Sequence, residues 1–465
     1  MKILKHAPRT SELFPKFASD PAMTLRILGA AKELKGDFLA YRHWEKVKYH
    51  KPLPNGFTPE AWWCALKMIR AATSQNLPLI GVGGRPVQHT WPADLAERLR
   101  ILGAKLGAKA PLGFAGSGLS VVSGLKGHML IDESMSSSFI EGASTSREKA
   151  RELLSTARKP RDISERMIAN NFRAIKHACG IATQPMTPDR LLEIHRLLTE
   201  DTLEDPGQVG RFRVEADATV LRNGDEEVVF TPPPAGELTE RVVKFCEFAN
   251  ASSPESASMD PVLRAILLHF WVAYDHPFAD GNGRTARAMF YWSMVRSGYP
   301  LVQHVSLSGA ILGDSPAYYN AFQFVEADED DATYFILNQV EMLETALRKL
   351  DEESEAKIPS GEIISDRFSK IEGFNSRQQR FVVQNLGSPG SVHTLSGYRN
   401  AFEVTTMTAW RDLDGMLKAG LLDRGKKVGR AYAYVVPGDL MSRIDLLAEG
   451  KRRPKKPRNG GPANG

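Results

Sequence analysis

Residues 276–287 read His-Pro-Phe-Ala-Asp-Gly-Asn-Gly-Arg-Thr-Ala-Arg, a short run holding several groups able to do chemistry. The imidazole of His276 titrates near neutrality, so it can take a proton at working pH. Asp280 offers carboxylate oxygen, which hard divalent cations prefer. Gly281 to Gly283 form a turn whose backbone N–H groups can face an anion. A helix beginning there adds the positive end of its dipole. Arg284 and Arg287 are three apart and so share one face of that helix. A base, a cation ligand and an anion cradle at this spacing suit attack on a nucleoside triphosphate.

Such groups work only if the chain around them is rigid. Pro261 to Tyr274 is apolar around nearly its whole circumference, broken only by Arg264 and His269. The segment 283–297 is similarly apolar after its two arginines, and Gly298 with Pro300 supplies a stop signal. Helices apolar all round are buried, so the loop is expected between two central helices. Upstream, Thr219–Leu221 and Glu227–Phe230 are β-prone runs around Asn223-Gly224, a hairpin signal, and Pro232-Pro233-Pro234 ends the second strand.

At 465 residues the chain should hold two or three domains. Residues 1–130 predict a helical scaffold without a chemical motif, with amphipathic helices around Trp62-Trp63 and over Ala96–Leu106. A mainly helical domain follows over 131–345, then a charged, Pro/Gly-interrupted linker over 346–372. Ser376–Leu386 and Thr405–Ala419 read as helices. With a two-stranded wing from Gly425 to Val436, carrying Lys426, Lys427 and Arg430 near its tip, they suggest a winged helix-turn-helix over 373–440. Thr405–Ala419 would be its recognition helix, and DNA its partner. A basic tail, 446–465, is expected to be disordered.

The net charge of +5 is a property of that tail. Lys451, Arg452, Arg453, Lys455, Lys456 and Arg458 contribute six positive charges, which leaves −1 on the rest. The body is therefore not a general nucleic-acid binder. Cys64, Cys179 and Cys246 have neither metal-binding spacing nor the even number of a disulfide framework. No run of eighteen apolar residues occurs, and Met1 to Arg9 leads into no apolar signal core. A cytoplasmic protein without a membrane partner is the expectation.

The 276–287 run fills all eight specified positions of His-x-Phe-x-Asp/Glu-Gly-Asn-Gly-Arg-x-x-Arg, the signature of the Fic family. Chance gives such a match on the order of 10⁻¹⁰ per start position. The resemblance extends from about Ser134 to about Val340, including the Asn170-Asn171 helix, the hairpin and Tyr318-Tyr319. Ser137 to Gly142 matches a second family signature, Ser/Thr-x-x-x-Glu-Gly/Asn, which implies an inhibitory helix over about 132–142. In that resemblance Ser137, Glu141 and Gly142 form the inhibitory element, and Glu141 pairs with Arg287 in place of the γ-phosphate.

The resemblance implies a mainly α fold: a Fic helical core with a β-hairpin flap, followed here by the winged module. It implies transfer of AMP from ATP to a Ser, Thr or Tyr hydroxyl of a target protein laid along the flap, and to the protein itself. His276 would accept the hydroxyl proton, and Asp280 would hold Mg²⁺ or Mn²⁺. Asn282 and the N–H groups of Gly281 and Gly283 would stabilise the α-phosphate, with Arg284 and Arg287 on the β- and γ-phosphates. The nucleotide site would also take in Glu141, Val229, Phe230, Thr231, Thr285, Tyr318 and Tyr319. Phe278 would bury its ring and anchor the loop. Where relatives often place an asparagine near the ribose, this chain has Glu326 and Ala327.

Gly283 argues against kinase-like relatives, which carry Lys there. Transfer of UMP or phosphocholine, and removal of AMP with Glu141 as base on water, use the same residues and stay open. So does inhibition in cis or across a homodimer contact. A reading of a different class is a DNA-binding regulator with a nucleotide-sensing core. The intact His276 speaks against it, because a sensor needs no base.

Overall fold

The computed structural model describes residues 4–54, 56–107, 130–217, 221–222, 228–369, 371, 373–386, 390–428 and 431–449. The Asn223-Gly224 turn, the side chains of Val229, Lys426, Lys427 and Arg430, and the tail from 450 onward lie outside the described residues. The chain divides into two units. One takes 1–109, 133–143 and 166–347, and the other takes 110–132, 144–165 and 348–465.

The first unit begins with short helices at Thr10–Ala18 and Pro21–Leu28, then α1 (Pro59–Ala71). Thr58 caps α1 by accepting the Ala61 N–H at 3.2 Å, and Pro59 stands at the first position, where no N–H is missed. Trp62 and Trp63 are buried beneath it. A hairpin follows, β1 (Gln75–Ile80) paired antiparallel with β2 (Pro86–His89). The sequence predicts only helices and breaks in this region, so the hairpin is a correction. Pro78 inside β1 hides the strand signal, because proline is tolerated only in an edge strand. Next come α2 (Leu95–Leu106), α3 (130–140), α4 (Arg147–Thr156, in the second unit), α5 (Ile163–Gly180) and α6 (Pro188–Thr199).

The flap is a hairpin as expected: β3 (Leu221–Arg222) pairs antiparallel with β4 (Val228–Phe230). Beyond it lie α7 (Leu238–Ala249), α8 (Pro261–Asp275) and α9 (Asn282–Arg296). The last two are buried along most of their length, including Leu263, Ile266, Phe270, Phe290 and Trp292. Each such side chain contributes about 1.5–3 kcal/mol by leaving water. Two buried helices thus hold the six-residue loop between them as if in a vice. Then come α10 (Leu307–Gly313), α11 (Ser315–Ala327) and α12 (Thr333–Ser369). Residues 346–369 of the expected linker are helical, continuing α12 through Pro359 and Gly361.

The second unit adds α13 (Ser376–Asn385), β5 (Val392–Thr394), α14 (Leu395–Phe402), α15 (Thr406–Lys418), β6 (Asp423–Val428), β7 (Ala431–Val435) and α16 (Leu440–Ala448). Its sheet has the order β5-β7-β6. Two of its helices fall where the sequence predicts them, but α14 does not figure there at all. α16 supplies Leu440 and Ile444 to the core formed with Phe381, Tyr398 and Leu413, so this unit runs past 440. It also recruits α4, from inside the segment expected to be Fic domain: Thr394 Oγ1 donates to the Thr156 carbonyl at 2.6 Å. Among the described residues, no helix is long and apolar enough to cross a membrane.

Candidate active site

The loop between α8 and α9 is fixed at every polar atom that could let it move. α8 ends at His276, whose backbone is left-handed (φ +47°) and whose N–H donates to Val272 O at 3.1 Å. That reversal turns the imidazole out of the helix. Ala273 O accepts from His276 Nδ1 at 3.2 Å, which leaves the proton on Nδ1 and the Nε2 lone pair available. Burial lowers the His276 pKa below the usual histidine value, so the ring is neutral near pH 7. A neutral imidazole with Nε2 free is a general base.

Phe278 is fully buried and stacks on His195 of α6, with ring centroids 3.8 Å apart and planes within 2°. Asn282 Oδ1 accepts the Phe278 N–H at 2.9 Å, and Asn282 Nδ2 donates to Phe278 O at 2.8 Å. The Asn282 side chain therefore clamps the loop. The Gly281 N–H goes to Asp280 Oδ1 at 2.5 Å. Its φ of +85° and the 2.9 Å from a built Cβ to Thr199 explain why glycine is needed there. Thr285 is buried and its hydroxyl donates back to Gly281 O at 2.8 Å.

What remains facing the site is the first turn of α9. The N–H groups of Asn282, Gly283 and Arg284 start the helix and have no partner a turn earlier. Arg284 is 1% exposed, donating to Asp280 Oδ2 at 3.1 Å and Leu198 O at 3.4 Å. Arg287 is wholly buried, and the segment Ser137–Gly142 engages it. Its Nη2 donates to Glu141 Oε1 at 2.8 Å and to Ser137 O at 3.0 Å, and its Nε to Ser137 Oγ at 2.9 Å. Gly142, with φ +88°, closes α3 directly after Glu141. A Cβ built on Gly283 would come within 2.2 Å of Glu141 Oε1. The carboxylate thus lies against the first turn of α9, where an anion would bind, and the contact is made within one chain.

The other end of α3 is anchored too. Glu133 is buried and accepts from Ser308 N at 2.8 Å, Ser308 Oγ at 2.5 Å and Ser306 Oγ at 3.1 Å. Asn171 of α5 donates to Ser134 O at 3.1 Å.

The two tyrosines separate. Tyr318 is buried and its hydroxyl meets His269 Nε2 at 3.0 Å, so it belongs to the core beneath the site. Tyr319 is 40% exposed, and its pKa rises through burial and then the charge of Glu141, which puts it beside the anion site. Phe230 packs on Tyr274 with centroids 5.1 Å apart, and Thr231 follows it out of the flap.

Sequence reasoning missed two residues that hold the loop. Arg213 Nε donates to His276 O at 2.7 Å, its Nη2 to Pro233 O, and its N–H to Pro277 O at 2.9 Å. His195 Nε2 bonds Asp280 O at 2.8 Å, and Gly210 N donates to His195 Nδ1 at 3.2 Å. Burial lowers the His195 pKa to about 4. Neither carries a signal: Arg213 is one of two arginines in a loop, and His195 lies on the apolar face of a helix.

For a divalent cation the residues offer one carboxylate, Asp280, with its side chain 56% exposed. Among the described residues no group of three or more His, Cys, Asp or Glu could hold a metal. A lone carboxylate completed by substrate phosphates is how Mg²⁺ is commonly held, so the donor set fits.

A neutral histidine, an unpartnered helix start and a carboxylate seated against that helix start come together at this loop. Residues 185–294 match the Fic/DOC family. That span takes in the loop but neither Ser137–Gly142 nor Tyr318-Tyr319. Among similar curated proteins, the protein adenylyltransferase fic-1 of Caenorhabditis elegans is 34% identical over 135 residues, 27% of this chain and 24% of the relative. Protein adenylyltransferase Fic of Drosophila ananassae is 35% identical over 131 residues, 28% and 24% of the two chains. The chain thus spans about a quarter of the length of these relatives. Among solved structures, a Fic family protein of Desulfovibrio desulfuricans aligns at TM-score 0.46 and 16% identity, covering 75% of this chain and 97% of that one. A fragment of C. elegans Fic-1 aligns at 0.45 and 19%, covering 74% and 90%.

Proposed function

We propose that the protein transfers AMP from ATP to a hydroxyl of a target protein, and that Glu141 restrains it from within. The observation that carries this is the Glu141–Arg287 contact over Gly283, a carboxylate seated at the anion end of a helix beside a neutral histidine. The curated relatives are named protein adenylyltransferases over the matching segment, which agrees.

Phosphates seat on the N–H groups of Asn282, Gly283 and Arg284. Arg284 and, once Glu141 yields, Arg287 neutralise the leaving pyrophosphate. His276 Nε2 accepts the proton of the incoming hydroxyl as its oxygen attacks the α-phosphorus. The oxygen–phosphorus bond forms as the bond to the bridging oxygen of pyrophosphate breaks. Arg213 keeps the His276 carbonyl, and so the ring, in place. Mg²⁺ held by Asp280 would offset negative charge on the phosphates. The target segment adds along the flap edge, where β4 offers backbone groups for strand addition.

Intact-mass measurement after incubation with ATP and Mg²⁺ tests this. The Glu141→Gly chain should gain the mass of AMP, and Glu141→Gly with His276→Ala should not. Gain of UMP from UTP, or loss of AMP from a modified target, would move the assignment to another group or to hydrolysis.

The second unit supports a partner of its own. Its order α13, β5, α14, α15, β6, β7 with sheet β5-β7-β6 fits a winged helix-turn-helix, and three residues separate α14 from α15. Duplex DNA would meet Thr405, Thr406 and Arg411 at the start of α15. A gel shift with the full chain should give binding that weakens steeply as salt rises.

A further inference from the structure

The carboxylate on Arg287 is carried by a segment that the second unit holds at both ends. Glu133–Ala143, which includes Ser137 and Glu141, belongs to the first unit. The residues that flank it, Asp132 before and Ser144 after, belong to the second. The chain therefore leaves the second unit, sets Glu141 on Arg287 and returns, all within 133–143. Glu133, Ser134 and Ser137 anchor this excursion to the first unit.

The anchor on the other side is α4. Arg151 Nη2 donates to Asp132 Oδ1 at 3.0 Å, so α4 grips the chain just before the excursion. After it, only Ala143, Ser144 and Thr145 join Gly142 to Ser146, whose Oγ caps α4 by accepting the Lys149 N–H at 3.3 Å. That stretch of chain spans at most about 14 Å, so α4 cannot move far without drawing on Gly142. The Ser144 N–H donates to Ser164 Oγ at 2.9 Å. Buried Glu165 accepts from both Nη atoms of Arg158 at 2.6 Å and from Arg161 N at 2.7 Å. Segment 144–165 is thus closed on itself, with little slack to absorb a movement of its helix. That helix is built into the fold of the second unit. Thr156 O accepts from Thr394 Oγ1 at 2.6 Å, and a Cβ on Gly397 of α14 would come within 1.8 Å of the Ser155 carbonyl. Ala150, Leu153 and Thr156 are buried along α4.

We propose that α4 is the strap of the inhibitor: seated on β5 and α14 it holds Glu141 on Arg287, and its release from that seat frees the nucleotide site. The proposal rests on the reading of Glu141 as an internal restraint. It makes the second unit the handle through which that restraint is loosened. A charge-assisted contact shifts the competent population about ten- to a hundredfold. The excursion keeps its own anchors in the first unit, so loss of the strap recovers part of that range.

The test is AMP labelling and equilibrium ATP binding by the full chain. Gly397→Ala sets a methyl group against the Ser155 carbonyl and should unseat α4. An insertion of about six Gly and Ser residues between Ala143 and Ser144 adds up to roughly 20 Å of reach, which slackens the strap while α4 stays seated. Each change should raise labelling roughly three- to tenfold over wild type. Neither should add to Glu141→Gly, where nothing is left to hold. Labelling by the insertion variant at the wild-type level, or a gain that persists in the Glu141→Gly chain, overturns the proposal. If Gly397→Ala fails to fold, the insertion still decides. If no chain labels, Glu141→Gly included, the transfer reading falls by itself and ATP binding judges the strap. Tighter binding by the insertion variant then upholds it, and an unchanged affinity defeats it.

Discussion

At the residue scale the site turns on one arginine with two claimants. Arg287 is bound by Ser137 and Glu141 in this structure, and the same guanidinium is the group best placed for a terminal phosphate. Removing one partner of a buried ion pair ordinarily costs about 3–5 kcal/mol, so a purely structural Glu141 would make Glu141→Gly a damaged protein. We expect the reverse: AMP labelling at saturating ATP should rise at least tenfold, because a charge-assisted contact of about 1.5–3 kcal/mol no longer competes with the phosphate. The gain should vanish in Glu141→Gly with Arg287→Ala. Labelling by Glu141→Gly no higher than wild type would refute autoinhibition. Two short motifs that resemble a known family made this pair legible in the sequence. The hydrogen-bond partners of Gly281, Asn282 and Thr285 were not, because the partner of a polar group is settled by the folded neighbourhood. Asn282 could face a phosphate or a backbone, and it faces the backbone of Phe278.

At the scale of elements, the sequence shows the helices that are apolar all round and conceals those made by their neighbours. α8 and α9 were readable because no solvent-facing stripe interrupts them. α14 was not: eight residues with Gly397 inside have little intrinsic helicity. A Cβ on Gly397 would lie 1.8 Å from the Ser155 carbonyl, so that glycine is present to let α4 approach. The same reasoning assigns Arg213 a positioning role, since its side chain ties the loop at His276 O to the chain leaving the flap at Pro233. Arg213→Met keeps most of the aliphatic volume and removes these bonds. It should lower kcat by tenfold to a hundredfold in the Glu141→Gly chain, with a small change in KM, because a misplaced base costs rate and not phosphate binding. A large rise in KM with kcat unchanged would instead put Arg213 on the nucleotide.

At the scale of the whole molecule, a buried and a half-buried group give the first unit opposite responses to pH. His195 is wholly buried, and its pKa falls from 6.5 in the open chain to about 4 when folded. The unfolded chain therefore binds more protons between those values, and stability from this group is complete above pH 6.5 and lost as pH falls towards 4. Glu326 runs the other way. Its pKa rises from about 4.5 to about 8, so the folded chain holds the extra proton, and stability is lost as pH rises through that interval. The shift at His195 corresponds to at most about 3 kcal/mol. Thermal melts of His195→Gln, whose amide can still donate to Asp280 O, should show a shallower loss from pH 6.5 to 4 than wild type. Melts of Glu326→Gln should show a shallower loss from pH 5 to 8. A variant whose melting profile parallels wild type over its own window would mean that the group titrates alike in the folded and open chain. The burial argument for that group would then fail.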